Sequence, residues 1–210
     1  MNLYFAPLAC SLATRIALYE AGAPATYTQV DLKSHKVLSS GQDFSEITPM
    51  AQVPALAIDA QTVLTENTAV LQFVARQFPA ARLAPTEGIL YARMQQWLGF
   101  IGTELHKLFI PLLDPKAPDG AKEYSLAKLP QRLAVLEEHF SHHELALDSF
   151  SIVDAYLTTI LNWCEAAGVD LKQWPVTHAY HRRMLLRPSI ARACGEELTL
   201  YKEEQIRQAS

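Results

Sequence analysis

In the first part of the chain, some apolar residues are spaced as in a strand and others as in a helix. Residues 2–6 are apolar and rich in strand-forming types, and apolar positions then recur at helical spacing over 12–22. Residues 26–32 alternate as a second strand. Two short apolar runs, 55–58 and 62–64, are separated by a turn and predict an antiparallel hairpin.

A helix from about residue 69 ends at Pro79, and the order β-α-β then β-β-α implies a small mixed sheet with helices packed on it. Beyond residue 78 the spacing of apolar residues is helical only. The polar stretch 33–47 predicts a loop with one short helical turn. Further helical patterns cover 87–113, 121–140, 151–167, 176–186 and 189–194. The predicted fold class is α/β followed by all-α, with a domain at 1–78, a linker at 79–86 and an all-helical domain at 87–210.

Prolines and one capping motif give local expectations within the helical domain. Pro111 and Pro115 are expected to end the first helix, and Pro130 to kink the second or delay its start. Ser151 and Asp154 form a capping box, in which each side chain hydrogen-bonds a backbone N–H near the other. Such a cap is folding information, worth about 1 kcal/mol, rather than a catalytic motif.

Composition narrows the class of protein. Half of the 210 residues are hydrophobic and 19% are charged, which is typical of a globular protein, and the net charge of −4 gives no basic signal for nucleic acid or anionic membrane. The three cysteines are widely spaced, so thiols and a reducing compartment are expected and no metal site is predicted. No signal segment and no apolar stretch of about 18 residues is visible, so we expect a cytoplasmic protein.

Cys10 is the first candidate for chemistry. It stands with Ser11 at the predicted start of the first helix, where unpaired backbone N–H groups and the helix dipole favour an anion. A thiolate is stabilised in that position, which makes Cys10 a candidate nucleophile. The alternative is a small buried hydrophobic residue, as unpaired cysteines often are.

Two further motifs suit a peptide-like ligand. If the bond before Pro54 is cis, the chain turns sharply and leaves the backbone of Val53 outside the sheet, able to pair with a ligand backbone; a trans proline at an edge-strand start is the commoner case. Glu66 and Asn67 open a helix and could hold the ammonium and carboxylate of an amino acid. Their alternative role is helix capping and a favourable first-turn charge.

Together these motifs resemble the cytosolic glutathione transferases, and specifically the bacterial beta class. The resemblance runs nearly end to end and is carried by residues 7–12, 48–49, 52–56, 64–66, 104–107 and 151–156. The combination of Cys10 with His106 and Lys107 is specific to the class, whereas the Val-Pro and Ser-x-x-Asp elements are shared by the superfamily.

The resemblance implies a thioredoxin-like N-terminal domain (βαβ-ββα), an all-helical C-terminal domain, and glutathione bound in the cleft between them. Cys10 and His106 would be catalytic, with Cys10 beside the glutathione sulfur and His106 and Lys107 adding positive field or a proton relay. Glu104 would reach the ligand of the neighbouring subunit, since the family is dimeric. The implied glutathione-binding residues are Cys10, His35, Lys36, Gln52, Val53, Pro54 (in cis), Glu66, Asn67, Glu104, His106 and Lys107.

The predicted function follows from this resemblance. We expect a homodimeric glutathione transferase that conjugates glutathione, as co-substrate, to small hydrophobic electrophiles in detoxification. The hydrophobic pocket would be lined by Leu8, Phe109, Leu112 and Trp163.

Departures from the family pattern keep two alternatives open. Asn67 stands where serine is usual, and Gly99 where asparagine is frequent, which leaves room for a non-catalytic ligand carrier or scaffold. Ala13 occupies the fourth position of a would-be C-x-x-C pair, so a dithiol cycle is excluded. A thiol-disulfide oxidoreductase acting through a Cys10 mixed disulfide remains possible.

Overall fold

A computed structural model describes residues 1–209 and divides the chain into two compact units. The first consists of Met1–Leu83 together with the chain from Arg187 onward, and the second is Ala84–Leu186. Packing therefore groups the C-terminal helix with the N-terminal residues, whereas the sequence pattern places it in the helical domain.

The first unit is built on a five-stranded mixed sheet in the order β3-β2-β1-β4-β5. β1 and β2 are parallel, and the other neighbouring pairs are antiparallel. The alternating pattern of β1 buries Leu3 and Phe5. The strands are β1 (Asn2–Phe5), β2 (Thr26–Asp31), β3 (Lys36–Val37), β4 (Ala55–Ala57) and β5 (Val63–Leu64).

Three helices complete this unit: α1 (Leu12–Glu20), α2 (Asn67–Gln77) and α8 (Pro188–Ala209). The sequence of α1 is apolar on several sides, and every residue from Leu12 to Leu18 is buried. α1 packs against both α2 and α8, which explains why it needs more than one apolar face.

The second unit is entirely helical over its described residues. Its first long helix begins as α3 (Gly88–Phe100), passes through a π-helical segment (Ile101–His106) and ends as α4 (Lys107–Leu113). The remaining helices are α5 (Asp119–His142), α6 (Ile152–Leu161) and α7 (Pro175–Leu185).

Several local predictions are wrong. α5 begins at Asp119, well before Pro130, so that proline does not delay it; the first helix does end at Leu113, between Pro111 and Pro115, as predicted, although Pro111 itself lies inside α4. α8 extends through Ala209 rather than ending at residue 194. The stretch 33–47 contains β3 as well as the predicted helical turn, which is a 3₁₀ turn at Phe44–Glu46. Packing against neighbouring elements outweighs the local signals of proline and polarity at these places.

The capping box is confirmed. Ser151 precedes α6, its side chain accepts a hydrogen bond from Val153 N–H, and the Asp154 carboxylate accepts from Ser151 N–H at 3.0 Å. Along the described part of the chain, no helix combines the length and the apolar character needed to cross a membrane.

Candidate functional site

The turn that carries Cys10 connects β1 to α1. Ala9 N–H donates to the carbonyl of Ala6, and the Ser11 hydroxyl, fully buried, exchanges hydrogen bonds with the backbone of Ala6 at 3.3 Å. Leu8 has a φ of +60°, which is unusual for a residue with a branched side chain. These contacts present the partly exposed Cys10 directly before the first turn of α1.

Two other segments hold this turn. The Cys10 thiol donates to the Val53 carbonyl, with Sγ 3.1 Å from the oxygen. The Asn67 side-chain amide donates to the Cys10 carbonyl at 3.1 Å and accepts from the Thr14 hydroxyl at 3.3 Å. The structure therefore brings three of the sequence-predicted residues together, because the thiol, the Val-Pro segment and the start of α2 meet at one place.

The neighbouring predicted residues differ in exposure. The Val53–Pro54 bond is cis, as the resemblance implies, and Val53 lies before β4, outside the strand pairing. Gln52 and Glu66 are exposed, whereas Asn67 is buried. Glu66 has a φ of +65° and immediately precedes α2. This leaves an exposed carboxylate next to the start of a helix.

His35 and Lys36 lie at the far edge of the sheet, where the order of the strands ends with β3. Both side chains are exposed, and His35 has a φ of +55°. The His35 carbonyl accepts a hydrogen bond from Phe44 N–H at 2.8 Å. Both side chains are thus accessible to an anion.

His106 is the last residue of the π-helical segment in the second unit. Its Nδ1 lies 2.7 Å from the Tyr156 hydroxyl, and its ring packs edge-on against Trp163 at 5.0 Å between centroids. Burial, and then the positive charge of Lys107, lowers the pKa of His106 to about 4. The imidazole is therefore neutral near pH 7, so the positive-field role expected for it is not supported and the proton-relay role remains.

The π-helical segment also contains Glu104. Its carboxylate pairs with Arg132 of α5, with the closest nitrogen and oxygen 2.7 Å apart. Lys107 begins α4 and is exposed. π-helical turns often occur at functional sites. Here the π-helical segment follows α3 and contains Glu104 and His106, and Lys107 comes directly after it.

The residues predicted to line a hydrophobic pocket lie in both units. Leu8, Leu112 and Trp163 are partly exposed. Phe109 is fully buried, with its ring 6.3 Å from that of Trp163, so it supports Trp163 rather than facing solvent. Among residues 1–209, no group of three or more His, Cys, Asp or Glu side chains is placed to hold a metal ion.

A buried contact beside the Cys10 turn is not indicated by the sequence. Glu197 of α8 is fully buried, and its carboxylate accepts a hydrogen bond from Leu8 N–H at 2.7 Å. A glutamate in a polar C-terminal segment normally indicates an exposed helix face. The sequence around Arg15, the buried partner of Glu197, likewise gives no sign that its side chain is buried, so no local signal indicates this contact.

We predict that His106 remains neutral from pH 8 down to about pH 5, because its folded pKa lies well below the unfolded value of 6.5. The unfolded state then binds more protons than the folded state between pH 6.5 and about 4, so the free energy of unfolding should fall as pH falls through that window. NMR titration of the His106 ring measures the first effect, and urea unfolding of wild type and His106→Gln measures the second. A ring that titrates near pH 6.5 would contradict the prediction.

Comparisons with known proteins agree with the geometry. The family models described as glutathione S-transferase, N-terminal domain and C-terminal domain match residues 9–77 and 100–188. Glutathione S-transferase GstA of Escherichia coli O157:H7 is 38% identical over 199 residues, covering 94% of this chain and 98% of the relative.

Solved structures give the same result. A ternary complex of BphK, a bacterial glutathione S-transferase, superposes with a TM-score of 0.90 at 40% identity, covering 94% of this chain and 99% of the other. A beta class enzyme of Sphingomonas chungbukensis superposes with a TM-score of 0.89 at 39% identity, covering 94% and 98%. A sphingomonad glutathione S-transferase complexed with glutathione gives 0.88 at 39%, with the same coverage. This chain therefore belongs to the glutathione S-transferase family, resembles its bacterial beta class, and is a transferase.

Proposed function

We propose that the protein conjugates the glutathione thiolate to small hydrophobic electrophiles. The observation that carries this proposal is the meeting of Cys10, Val53 and Asn67 within hydrogen-bonding distance in the first unit. A thiol, a backbone segment outside the strand pairing and a helix N-terminus are what a thiol-containing peptide requires of its binding site.

Each predicted residue receives a specific part of glutathione in this proposal. Val53, placed beside Pro54 and Gln52, pairs with the cysteinyl backbone. Glu66 binds the γ-glutamyl ammonium, and the start of α2 at Asn67 binds its carboxylate. The Asn67 side chain already donates to the Cys10 carbonyl, so the backbone of α2 carries most of that recognition.

The remaining residues act on the glycine end and on the sulfur. His35 or Lys36 supplies the cation for the glycine carboxylate, and both are exposed at the sheet edge. Cys10 hydrogen-bonds the glutathione sulfur, while His106 moves a proton and Lys107 provides the positive charge. A catalyst of conjugation must favour the thiolate of glutathione over the thiol.

The electrophile side is assigned to Leu8, Leu112 and Trp163, with Phe109 packed beneath Trp163. We also propose detoxification in the cytoplasm, because a site built on a thiol needs a reducing compartment. No nucleic acid or membrane partner is proposed.

We propose that the protein is a homodimer. Exposed apolar side chains on α3 and α5 support a partner surface, namely Ile89, Leu90, Tyr124, Leu126 and Val135. In such a dimer, Glu104 would approach the glutathione of the partner subunit, with Arg132 holding its carboxylate. Sedimentation at micromolar concentration should give twice the mass of the chain, and a monomer would reject the assignment.

Turnover of a chloronitrobenzene with glutathione tests the main function. We expect conjugate formation that depends on enzyme and saturates with glutathione, together with retention on a glutathione resin and a thermal shift with glutathione. Failure of all three would reject the proposal and favour a ligand carrier on the same fold.

A further inference from the structure

Glu197 connects α8 to the turn that carries Cys10. Its Oε2 accepts from Leu8 N–H at 2.7 Å, and its Oε1 lies 2.9 Å from the Nε of Arg15 on α1. The side chain of Glu197 is fully buried and that of Arg15 is 4% exposed. One carboxylate therefore bridges the turn and the helix on either side of Cys10.

The backbone conformation of Leu8 requires a stabilising contact of this kind. Its φ of +60° places a branched residue in the left-handed region, which costs about 1–3 kcal/mol unless the surroundings hold it. A hydrogen bond to an ionised carboxylate is roughly twice as strong as a neutral one. The ionised Glu197 thus stabilises the conformation of the turn two residues before the thiol.

Arg15 makes the buried carboxylate tolerable. Its guanidinium carbon lies 4.2 Å from the ring centroids of both Phe5 and Tyr27, so it is fixed between β1 and β2 side chains. Arg15 also pairs with Glu196 at 3.1 Å. Desolvating a buried carboxylate is costly, and the charge of Arg15 together with the hydrogen bond from Leu8 N–H offsets part of that cost.

The charged and titratable groups around Glu197 come from both packed elements. From α1 it faces Arg15, and from its own helix the neighbouring Glu196, which is in turn paired with Arg192 and hydrogen-bonded by Tyr19. Burial raises the pKa of Glu197 to about 7, against the lowering effects of Arg15 and Leu8 N–H. The carboxylate consequently changes charge near neutral pH. Because burial raises this pKa and the Leu8 contact lowers it, ionisation costs folding stability but strengthens the hydrogen bond from Leu8 N–H while Glu197 stays buried.

We propose that Glu197 is a positioning residue for Cys10, acting through Leu8, and that the turn is held more tightly when Glu197 is ionised than when it is protonated. This inference rests on the proposed function in one respect only, namely that the rate of glutathione conjugation should change with how firmly the turn is held. The contact itself lies wholly in the first unit and does not depend on which substrate is used.

The test compares Glu197→Gln, which mimics the protonated acid, with the matched control Glu203→Gln on an exposed part of α8. The readout is site-resolved alkylation of Cys10 by iodoacetamide, quantified by mass spectrometry without glutathione. The Cys10 alkylation rates of wild type and Glu197→Gln should differ by about fivefold at pH 8, which corresponds to about 1 kcal/mol. At pH 6 the two rates should agree within about twofold. The change between these two ratios should have its midpoint near pH 7. Glu203→Gln should follow wild type at both pH values.

A merely structural role gives a different pattern. A change in packing that does not depend on the charge of Glu197 would alter the alkylation rate by the same factor at pH 6 and pH 8, and that pH-independent ratio overturns the proposal. Equal rates for wild type and Glu197→Gln at pH 8 would also overturn it.

Two further measurements complete the test. If Glu197→Gln does not fold, the Leu8 amide of wild type is followed by NMR from pH 5 to 9, where its shift should titrate with a midpoint near pH 7 and a constant shift overturns the proposal. Conjugation of a chloronitrobenzene is then measured on the same variants. Absence of conjugation in wild type rejects the proposed function alone, because the alkylation result still decides the role of Glu197.

Discussion

Replacing Asp154 by alanine should destabilise the protein by about 4 kcal/mol or more. The carboxylate is completely buried and accepts hydrogen bonds from Ser151 N–H, the Ser151 hydroxyl, Ala146 N–H and the Tyr180 hydroxyl. Each buried donor left without an acceptor costs about 1–3 kcal/mol. Because domains of this size are stable by only about 5–15 kcal/mol, the loss is a large share of the total.

Thermal and urea unfolding measure this effect. A change of about 4 kcal/mol corresponds to a fall in Tm of roughly 10 °C for a chain of this length. Asp148→Ala, an exposed aspartate in the loop before α6, removes the same charge and should change stability by less than about 0.5 kcal/mol. Ser151→Ala should lie between them at about 1–2 kcal/mol, and an Asp154→Ala protein as stable as Asp148→Ala would show that the four contacts contribute little.

Replacing Cys10 by alanine should abolish any thiol-disulfide exchange that the protein catalyses and only weaken the proposed conjugation. In exchange, the Cys10 thiolate attacks the glutathione sulfur of a mixed disulfide RS–SG, forms Cys10–S–SG and releases RS⁻. A glutathione thiolate then attacks that bond, forming the glutathione disulfide and restoring the Cys10 thiolate. Since the nucleophile itself is removed, this activity should fall by more than about 100-fold.

In the proposed conjugation the thiolate belongs to glutathione, and Cys10 would contribute a hydrogen bond. Loss of one such bond corresponds to about 1–1.5 kcal/mol, or roughly tenfold in kcat/KM. Cys10→Ser retains a donor and should recover most of the conjugation but none of the exchange. Cys194→Ala on α8 is the control for a partly exposed thiol elsewhere.

Steady-state rates of both reactions distinguish a nucleophilic role of Cys10 from a hydrogen-bonding one. Equal and complete loss of conjugation in both Cys10 variants would make the thiol itself indispensable. Conjugation at the wild-type rate in Cys10→Ala would instead assign the activation of glutathione to other groups.

Much of the fold could be predicted from the sequence because its signals are local. The strand at 2–5, the helix after Cys10 and the capping box each depend on residues close together in the chain. Their periods and their turn residues therefore indicate the elements directly.

The missed elements depend on distant partners. β3 is only two residues long and exists because it pairs with β2. The polar sequence of α8 suggests an exposed segment, yet the helix packs on α1 and buries Glu197 there. A proline predicts a helix end from local geometry, but Pro111 and Pro130 lie inside helices that pack against their neighbours.

The features of the candidate site also fall into those that the sequence indicates and those that depend on distant partners. Cys10, Val53, Glu66 and His106 belong to recognisable motifs, so their identity was available from the sequence. The neutral state of His106 was not, because it arises from burial beside Trp163 and Tyr156. Nor did the sequence indicate that the Asn67 side chain binds the Cys10 carbonyl rather than remaining accessible to a ligand.

The long separation of Leu8 from Glu197, 189 residues, has a consequence for biosynthesis. At about 5–20 residues per second, a ribosome adds Glu197 roughly 10–40 seconds after Leu8. Until α8 has been synthesised, the turn carrying Cys10 lacks its acceptor from that helix, and Arg15 lacks its buried counter-ion. We therefore expect the nascent chain to hold the thiol in a less ordered turn until α8 packs against α1.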